Sequence, residues 1–569
     1  MKNKKIIFSL ILTLTLAITM SCEESFLDQP PLGSYPYPLL TTKQGIEGML
    51  INAYASLKGP NGGAWYTSPV NWVWGSVTSD EAYKGSEKID QPDVNPVQRF
   101  EVLPSSPIVR DKWNSIYNAI ARANQVLKSL PDIEGLSAED VTRITAEARF
   151  LRGLSHLEAV KLFGNVPYVD ETELEYKNPN TTPIWDKIEG DFNAAYTSLD
   201  EVMPAIGRAN KWAAATYLAK TYMFQGKFAL AKPLLETIIA SGKTSAGVQY
   251  GLHDKYQDNF TVASENGKEA IFGMQYSLDA TTNGNYEMTL AYPAPIFTGC
   301  CGFYQPSQNL VNSFKTENGL PMLDDFNDTD MKNDEGLLSS EPFVEYTGTV
   351  DPRLDWTVGR RGIPYHDYGN HPGLSWIRDI GFSGPFSPKK NVFTAAEKSA
   401  GLGGAAGWGW NNSAKNFVLI RFADVILWHA ECEAEIGTLQ NATDDVNDIR
   451  LRASNTAGFV KEADGVTPAA NYDIELYTLF ADKDAALKAI RFERKLELAM
   501  EGHRYFDLVR WGIAEEVMDA YLAEEGTKRI DALGGTDFKP RNVRMPIPED
   551  AINRSFKDNA ATLVQNEGY

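Results

Sequence analysis

The sequence is short of cysteine, of histidine and of basic charge. Four cysteines and six histidines stand among 569 residues. No H-E-x-x-H, C-x-x-C or G-x-S-x-G occurs. The usual motifs of a zinc hydrolase, a thiol redox centre and a nucleophile elbow are therefore missing. After residue 21 no segment stays apolar for 18 residues, so no later stretch suits a membrane-spanning helix. Lysine and arginine total 54 against 75 aspartates and glutamates. Such a surface repels phosphate backbones, excludes nucleic acid as a partner and suits neutral ligands.

The charge and apolar runs that are present begin at the N-terminus. Lys2, Lys4 and Lys5 precede the apolar run IIFSLILTLTLAI at 6–18. This reads as a signal peptide over 1–21. Small Ser21 then precedes Cys22, the expected lipidation site; an ordinary signal peptide with a nearby cysteine is the alternative. Residues 22–33, with Pro30, Pro31 and Gly33, read as a tether. Removing 1–21 removes three lysines and no acid, which leaves 51 basic against 75 acidic side chains, a balance of −24. Cys432 lies in a helical run and reads as a small core residue. Cys300 and Cys301 adjoin in TGCCGFY, as a vicinal disulfide or as two free thiols.

Helical periodicity occupies both ends of the chain. It predicts helices over 42–58, 110–130, 137–163, 183–202, 208–241, 417–436, 441–453 and 483–511. Glu147 falls on the apolar face of 137–163, so it requires a partner from another helix. Ala219, Tyr222, Gly226, Phe228 and Ala231 have tetratricopeptide spacing. The pattern recurs 211 positions later at Ala430, Gly437, Ala442, Val446 and Ile449. The expected fold is mostly α. Tetratricopeptide-like helix pairs form the scaffold, and a long loop-rich insertion carries the ligand site. One domain is expected over 34–569, with scaffold at about 34–245 and 415–569 and the insertion at about 245–415. Separation of the repeats argues against a simple solenoid.

Eight fragments then appear in a fixed order. They are FLDQPP, WNSIYNAIARAN, EARFLRG leading to FGNVPYV, RANKWAAATYLAKTYMFQGKFALA, VDPRLDWTVG, LIRFADVILWHAECEAEIG with NDIRLRA, IRFERKLELAMEGHRYFDLVRWG, and the terminal QNEGY. Nearly end to end, the chain resembles the SusD-like (RagB/SusD) outer-membrane lipoproteins of Bacteroidetes. The resemblance implies a lipid-anchored cell-surface protein that caps a SusC-like TonB-dependent transporter. It implies capture of oligosaccharide or polysaccharide, or less often peptide, before import. Glu23 and Glu24 then resemble a surface-export signal after Cys22.

The polar rows read as structure. Glu493, Glu497 and Glu501 stand at i, i+4 and i+8 with Arg491, Arg494 and Arg504 nearby. Ion pairing between helices explains them better than acid–base catalysis. Arg421 with Asp424, and Asp507 with Arg510, read the same way. His366 and His371 share a loop with Asp367 but lack further metal ligands, so no metal site is assigned. No cofactor is expected. The acidic run DDFNDTDMKNDE at 324–335 lacks EF-hand spacing, though its composition leaves a structural calcium ion open.

Loop aromatics supply the candidate site, because flat rings cover the C–H faces of sugars while polar neighbours bond the hydroxyls. The first cluster holds Trp65, Tyr66, Trp72 and Trp74, followed by Asp80, Tyr83 and Lys84. Cys300, Cys301 and Tyr304 form the second. The third runs from Arg360 and Arg361 through Asp367, Tyr368 and Trp376 to Arg378, and the fourth holds Trp408 and Trp410. Alternation about Val73 buries at least one of Trp72 and Trp74, and Trp212 and Trp428 belong to the core. The competing function is a glycoside hydrolase using paired carboxylates such as Asp80 and Asp367, but no catalytic motif accompanies them.

Overall fold

A computed structural model describes residues 41–60, 63–173, 175, 177–278, 284–297, 301–406 and 410–569. The signal and tether expected over 1–33, with Cys22, lie outside the described residues, as do Cys300 and Trp408. The long helices are α1 (Lys43–Ser56), α2 (Pro107–Ser129), α3 (Ala138–Phe163), α4 (Trp185–Ser198), α5 (Lys211–Met223), α6 (Phe228–Ser241), α7 (Phe422–Ile436), α8 (Leu439–Ala453), α9 (Lys483–Glu497) and α11 (Ala514–Lys528); α10 is the shorter Arg504–Arg510. No described helix is long and apolar enough to cross a membrane.

The helices pack in chain order. α1 lies on α2, then α2 on α3, α3 on α4, α4 on α5 and α5 on α6. α6 packs directly on α7, α7 on α8, and α9 on both. The two repeats are therefore neighbours in space, and the intervening segment leaves the stack and returns to it. Ala219, Ala231, Ala430 and Ala442 are all fully buried, which lets paired backbones approach. Gly226 makes the α5–α6 turn at φ 65°, a conformation that favours glycine. Trp212, Trp428 and Cys432 lie in the core, and Cys432 is a free thiol.

The predicted helix 208–241 is divided into α5 and α6 by the Gly226 turn, and two more predicted helices prove to be composite. Residues 417–436 begin as a strand, because Phe417 and Leu419 are buried alternately with half-buried Val418. This strand, β6 (Phe417–Arg421), pairs antiparallel with β2 (Ala270–Met274), so the insertion is closed near its base. Residues 483–511 break after Glu497, where Gly502 turns at φ 78°. A side-chain carbon on Gly75 would stand 1.9 Å from the Gly502 carbonyl oxygen, so both positions need glycine. Residues 59–108, between the first two predicted helices, also contain regular structure. Trp72–Val77 forms a buried π-helical turn, and β1 (Ala82–Gly85) pairs antiparallel with β3 (Phe303–Pro306).

The carboxylate row is buried and neutralised. Glu493 faces Arg353 and Arg450; Glu497 faces Arg353, Arg421 and Arg452; Glu501 faces Arg421 and Lys390. Arg494 pairs with Asp424 and Asp507. Glu147 finds Arg208 from beyond α4, as its burial requires, and also Arg143 on its own helix. These pairs tie the insertion residue Arg353 to α9, whose glutamates also hold Arg450 and Arg452 of α8, so they fix the scaffold against the loops.

Candidate functional site

The insertion holds a small aromatic core of its own. Tyr292, Tyr365, Val392 and Phe393 are buried, and half-buried Phe297, Tyr368 and Trp376 pack against them. Ring centroids of Phe297 lie 5.1 Å from those of Tyr292, Tyr368 and Phe393. Trp376 meets Tyr365 at 5.4 Å and His371 at 4.9 Å, both edge-on. Edge-on contact at these separations adds to simple burial and fixes ring orientation.

Hydrogen bonds hold the loops that carry these rings. Tyr365 Oη donates to Pro388 O, and Tyr368 Oη donates to Phe393 O at 3.2 Å. Asp367 accepts from Ala395 N and Ala396 N at 2.7 and 2.8 Å and so caps the short helix Ala395–Ser399. His371 Nδ1 accepts from Gly373 N, which leaves Nε2–H to donate to Ser387 Oγ at 2.9 Å. Burial, aided by Lys389, pushes His371 down to about 3, so it is neutral. His366 Nε2 lies 3.0 Å from Lys389 O. Both histidines thus serve the loop.

Two further features border the cluster. Arg378 donates to Ser86 Oγ at 2.9 Å and to Asp90 Oδ2 at 2.7 Å, and it pairs with Glu87. Its stem lies beside Gly302, next to buried, disulfide-bonded Cys301. On another side is the hairpin β4 (Gly403–Ala406) and β5 (Trp410–Ser413). Gly403 backs onto the Phe393 ring, and half-buried Trp410 lies at the turn end.

Several expected ligand contacts are core residues instead. Trp72 and Trp74 are each 1 % exposed. Trp72 Nε1 donates to Glu287 O, and Trp74 Nε1 donates to Tyr66 O. Trp65 is buried and stacks on Trp72 at 5.7 Å, and buried Tyr304 meets Trp72 at 5.2 Å. Asp80 is buried between Arg504 and Lys495, which outweigh burial and hold its carboxyl far below the usual range. Tyr83 is buried and donates to Glu525. Arg361 is buried against Ser339 O, Glu341 O and Asp334. A GGAWYTSPVNWVWG run reads as a surface loop because of its glycines, yet Gly75 serves close backbone packing against Gly502. Tyr66, Asp367, Tyr368, Trp376, Arg378 and Trp410 keep solvent contact. Sequence reasoning missed Phe297, Glu87 and Asp90; Phe297, three residues before Cys300, was the available signal.

A sequence model described as the SusD family matches residues 268–569, more than half of the chain. The chain belongs to the SusD family. A second family description, starch-binding associating with outer membrane, matches residues 68–223. The chain is 25% identical to SusD-like protein P25 of Formosa agariphila, over 96% of this chain and 97% of that protein. It is 24% identical to the starch-binding protein SusD of Bacteroides thetaiotaomicron, over 77% and 75%. Among solved structures, a laminarin binding SusD-like protein superposes with a TM-score of 0.66 at 22% identity, covering 93% of this chain and all of that one. Surface glycan-binding protein A of Bacteroides thetaiotaomicron, in complex with laminarihexaose, gives 0.62 at 20% identity, over 92% and 99%. The SusD-family fold is mostly helical here too, with the helix stack as its scaffold.

In this SusD-family chain the acidic run 324–335 is engaged by cations of the protein. Asp324 pairs with Lys488, Asp330 with Lys528 and Glu335 with Arg529. Asp80 and Asp367, the carboxylates a hydrolase reading would need, are committed to ion pairs and to a helix cap.

Proposed function

We propose that the protein captures oligosaccharides at the outer-membrane surface and passes them to a SusC-like TonB-dependent transporter, without catalysis. The observation that carries this reading is the half-buried group Phe297, Tyr368 and Trp376, set on a packed aromatic floor. Such rings offer flat apolar area to a sugar face with little ordering left to lose on binding. Arg378 and Trp410 supply polar and aromatic edges. In the proposal Cys300 completes the disulfide of Cys301 and stiffens the adjoining loop, and Trp408 adds a ligand contact. Cys22 carries the lipid, and residues 23–33 act as a tether. The acidic surface favours neutral glycans over anionic ones.

The test is calorimetric titration of the purified protein with a panel of neutral glycans, laminarin among them. Saturable binding is expected, weakened about tenfold or more in Trp376→Ala and Tyr368→Ala, as for about 1.4 kcal/mol of lost stacking. Unchanged affinity in both variants sinks the placement of the site. Sustained release of reducing sugar sinks the non-catalytic reading.

A further inference from the structure

The α6–α7–α8 junction, within the helix stack, carries a group of side chains that sugar binding does not use. α6 presents Lys232 and Glu236 at i and i+4; α7 presents His429 and Glu433 with the same spacing; α8 presents Asp445. One ligand-bearing atom each from Glu236, His429 and Glu433 lies within 4.8 Å of the others.

His429 is nine-tenths buried and its ring is fixed from behind. Nδ1 lies 2.7 Å from Asp445 Oδ2, so Nδ1–H donates to that carboxylate. Nε2 is buried and makes no hydrogen bond. Nε2 lies 3.4 Å from Glu433 Oε1 and 3.9 Å from Glu236 Oε1. Glu433 is also held in place, accepting from Thr438 N at 2.8 Å and from Asn441 Nδ2 at 3.2 Å. Glu236 is half-exposed and pairs with Lys232.

We propose that Glu236, His429 and Glu433 form a zinc site that pins the first helix hairpin to the second. Zinc ligands at roughly 2.0–2.2 Å stand about 3.3 Å apart in a tetrahedron. The observed separations need only a short movement of Glu236. A carboxylate behind the ligating imidazole, as Asp445 is here, orients the ring and makes it a better donor. Water fills the fourth position. Lys232 marks the same place as one that attracts a cation. Its ammonium lies 2.6 Å from Glu236 Oε1 and 2.9 Å from Glu433 Oε1. Zinc displaces that ammonium towards solvent, and any proton on Nε2 leaves to water.

The experiment titrates the chelator-treated protein with zinc chloride alone, and repeats the titration with cobalt. One equivalent is expected to bind saturably, with cobalt giving the strong visible absorption of a tetrahedral site. Glu236→Gln and His429→Gln each weaken binding at least tenfold, and Asp445→Asn weakens it by about tenfold. Lys232→Ala tightens binding, because the competing ammonium is gone. Glu236 is half-exposed, so its variant answers even where His429→Gln folds poorly. Absence of a saturable equivalent overturns the proposal. So does unchanged affinity in Glu236→Gln, or weaker binding in Lys232→Ala.

Discussion

Glu497→Gln removes one charge from the centre of the scaffold and changes almost no volume. The cluster around it balances. Glu269, Asp351, Glu493, Glu497 and Glu501 face Arg353, Arg421, Arg450, Arg452 and Lys390. All ten side chains are buried. The variant leaves one positive charge without a counterpart, away from water. Breaking a buried pair in this way costs about 3–5 kcal/mol. Melting entropy of about 2.1 cal/mol/K per residue turns that into a fall of about 2.5–4 °C for a one-step transition of a chain this long. Urea and thermal melts read both quantities, with exposed Asp519→Asn as control. A loss no larger than the control's refutes the argument.

The same cluster sets an acid limit. Burial alone would raise the Glu497 carboxyl, but Arg452, Arg421 and Arg353 outweigh it and hold it well below the usual glutamate range. Arg421 and Lys390 likewise overcome burial and hold Glu501 at about 2. A depressed folded-state pKa stabilises above the unfolded value, about 4.3, and the gain disappears as pH falls through the folded value. Wild-type stability is therefore expected to fall between about pH 4 and pH 2, with a shallower slope in Glu497→Gln.

Further predictions rest on other sites. Burial, with help from Asp80, raises the Glu81 carboxyl to about 8. A carboxyl raised on folding costs stability progressively as pH climbs from about 4.3 towards that value. Glu81→Gln should therefore gain on wild type by about 4–5 kcal/mol between pH 4 and pH 8; a difference that stays constant with pH in urea melts contradicts this. Gly502 turns at φ 78°, and an added side-chain carbon would meet Val70 O at 2.3 Å. Gly502→Ala should cost about 3 kcal/mol or more. Gly48→Ala in α1, with open space around it, should instead stabilise by about 0.5–1 kcal/mol. Equal melts for the two variants would count against both readings.

The helical scaffold was legible because its residues obey a local period. Ile46 and Leu50 in α1, and Phe150, Leu151 and Leu154 in α3, are spaced as a buried face and are buried. The strand at Phe417–Arg421 was not legible, since a short apolar run before a helix has no period of its own and its partner lies over 140 residues earlier. The site was half legible for the same reason. Aromatic content marks a loop as interesting, but Trp72 and Trp376 differ only in what distant chain folds over them. Trp72 is covered by Tyr304 and Glu287, whereas Trp376 rests on Tyr365 and keeps one side open. No residue near either tryptophan records that difference.

The partners of residues 72–83 have a consequence for the order of assembly. Trp72 bonds to Glu287, Asp80 to Arg504 and Tyr83 to Glu525, at separations of 215, 424 and 442 residues. A chain emerging from its N-terminus has no native partner for Trp72 until half of it has been made, and none for Asp80 and Tyr83 until nearly all of it has. Contacts this distant are slow to close and leave apolar surface open meanwhile. The segment acts as a late clasp, so a chain still missing its last third leaves Asp80 and Tyr83 without their partners and is prone to stick.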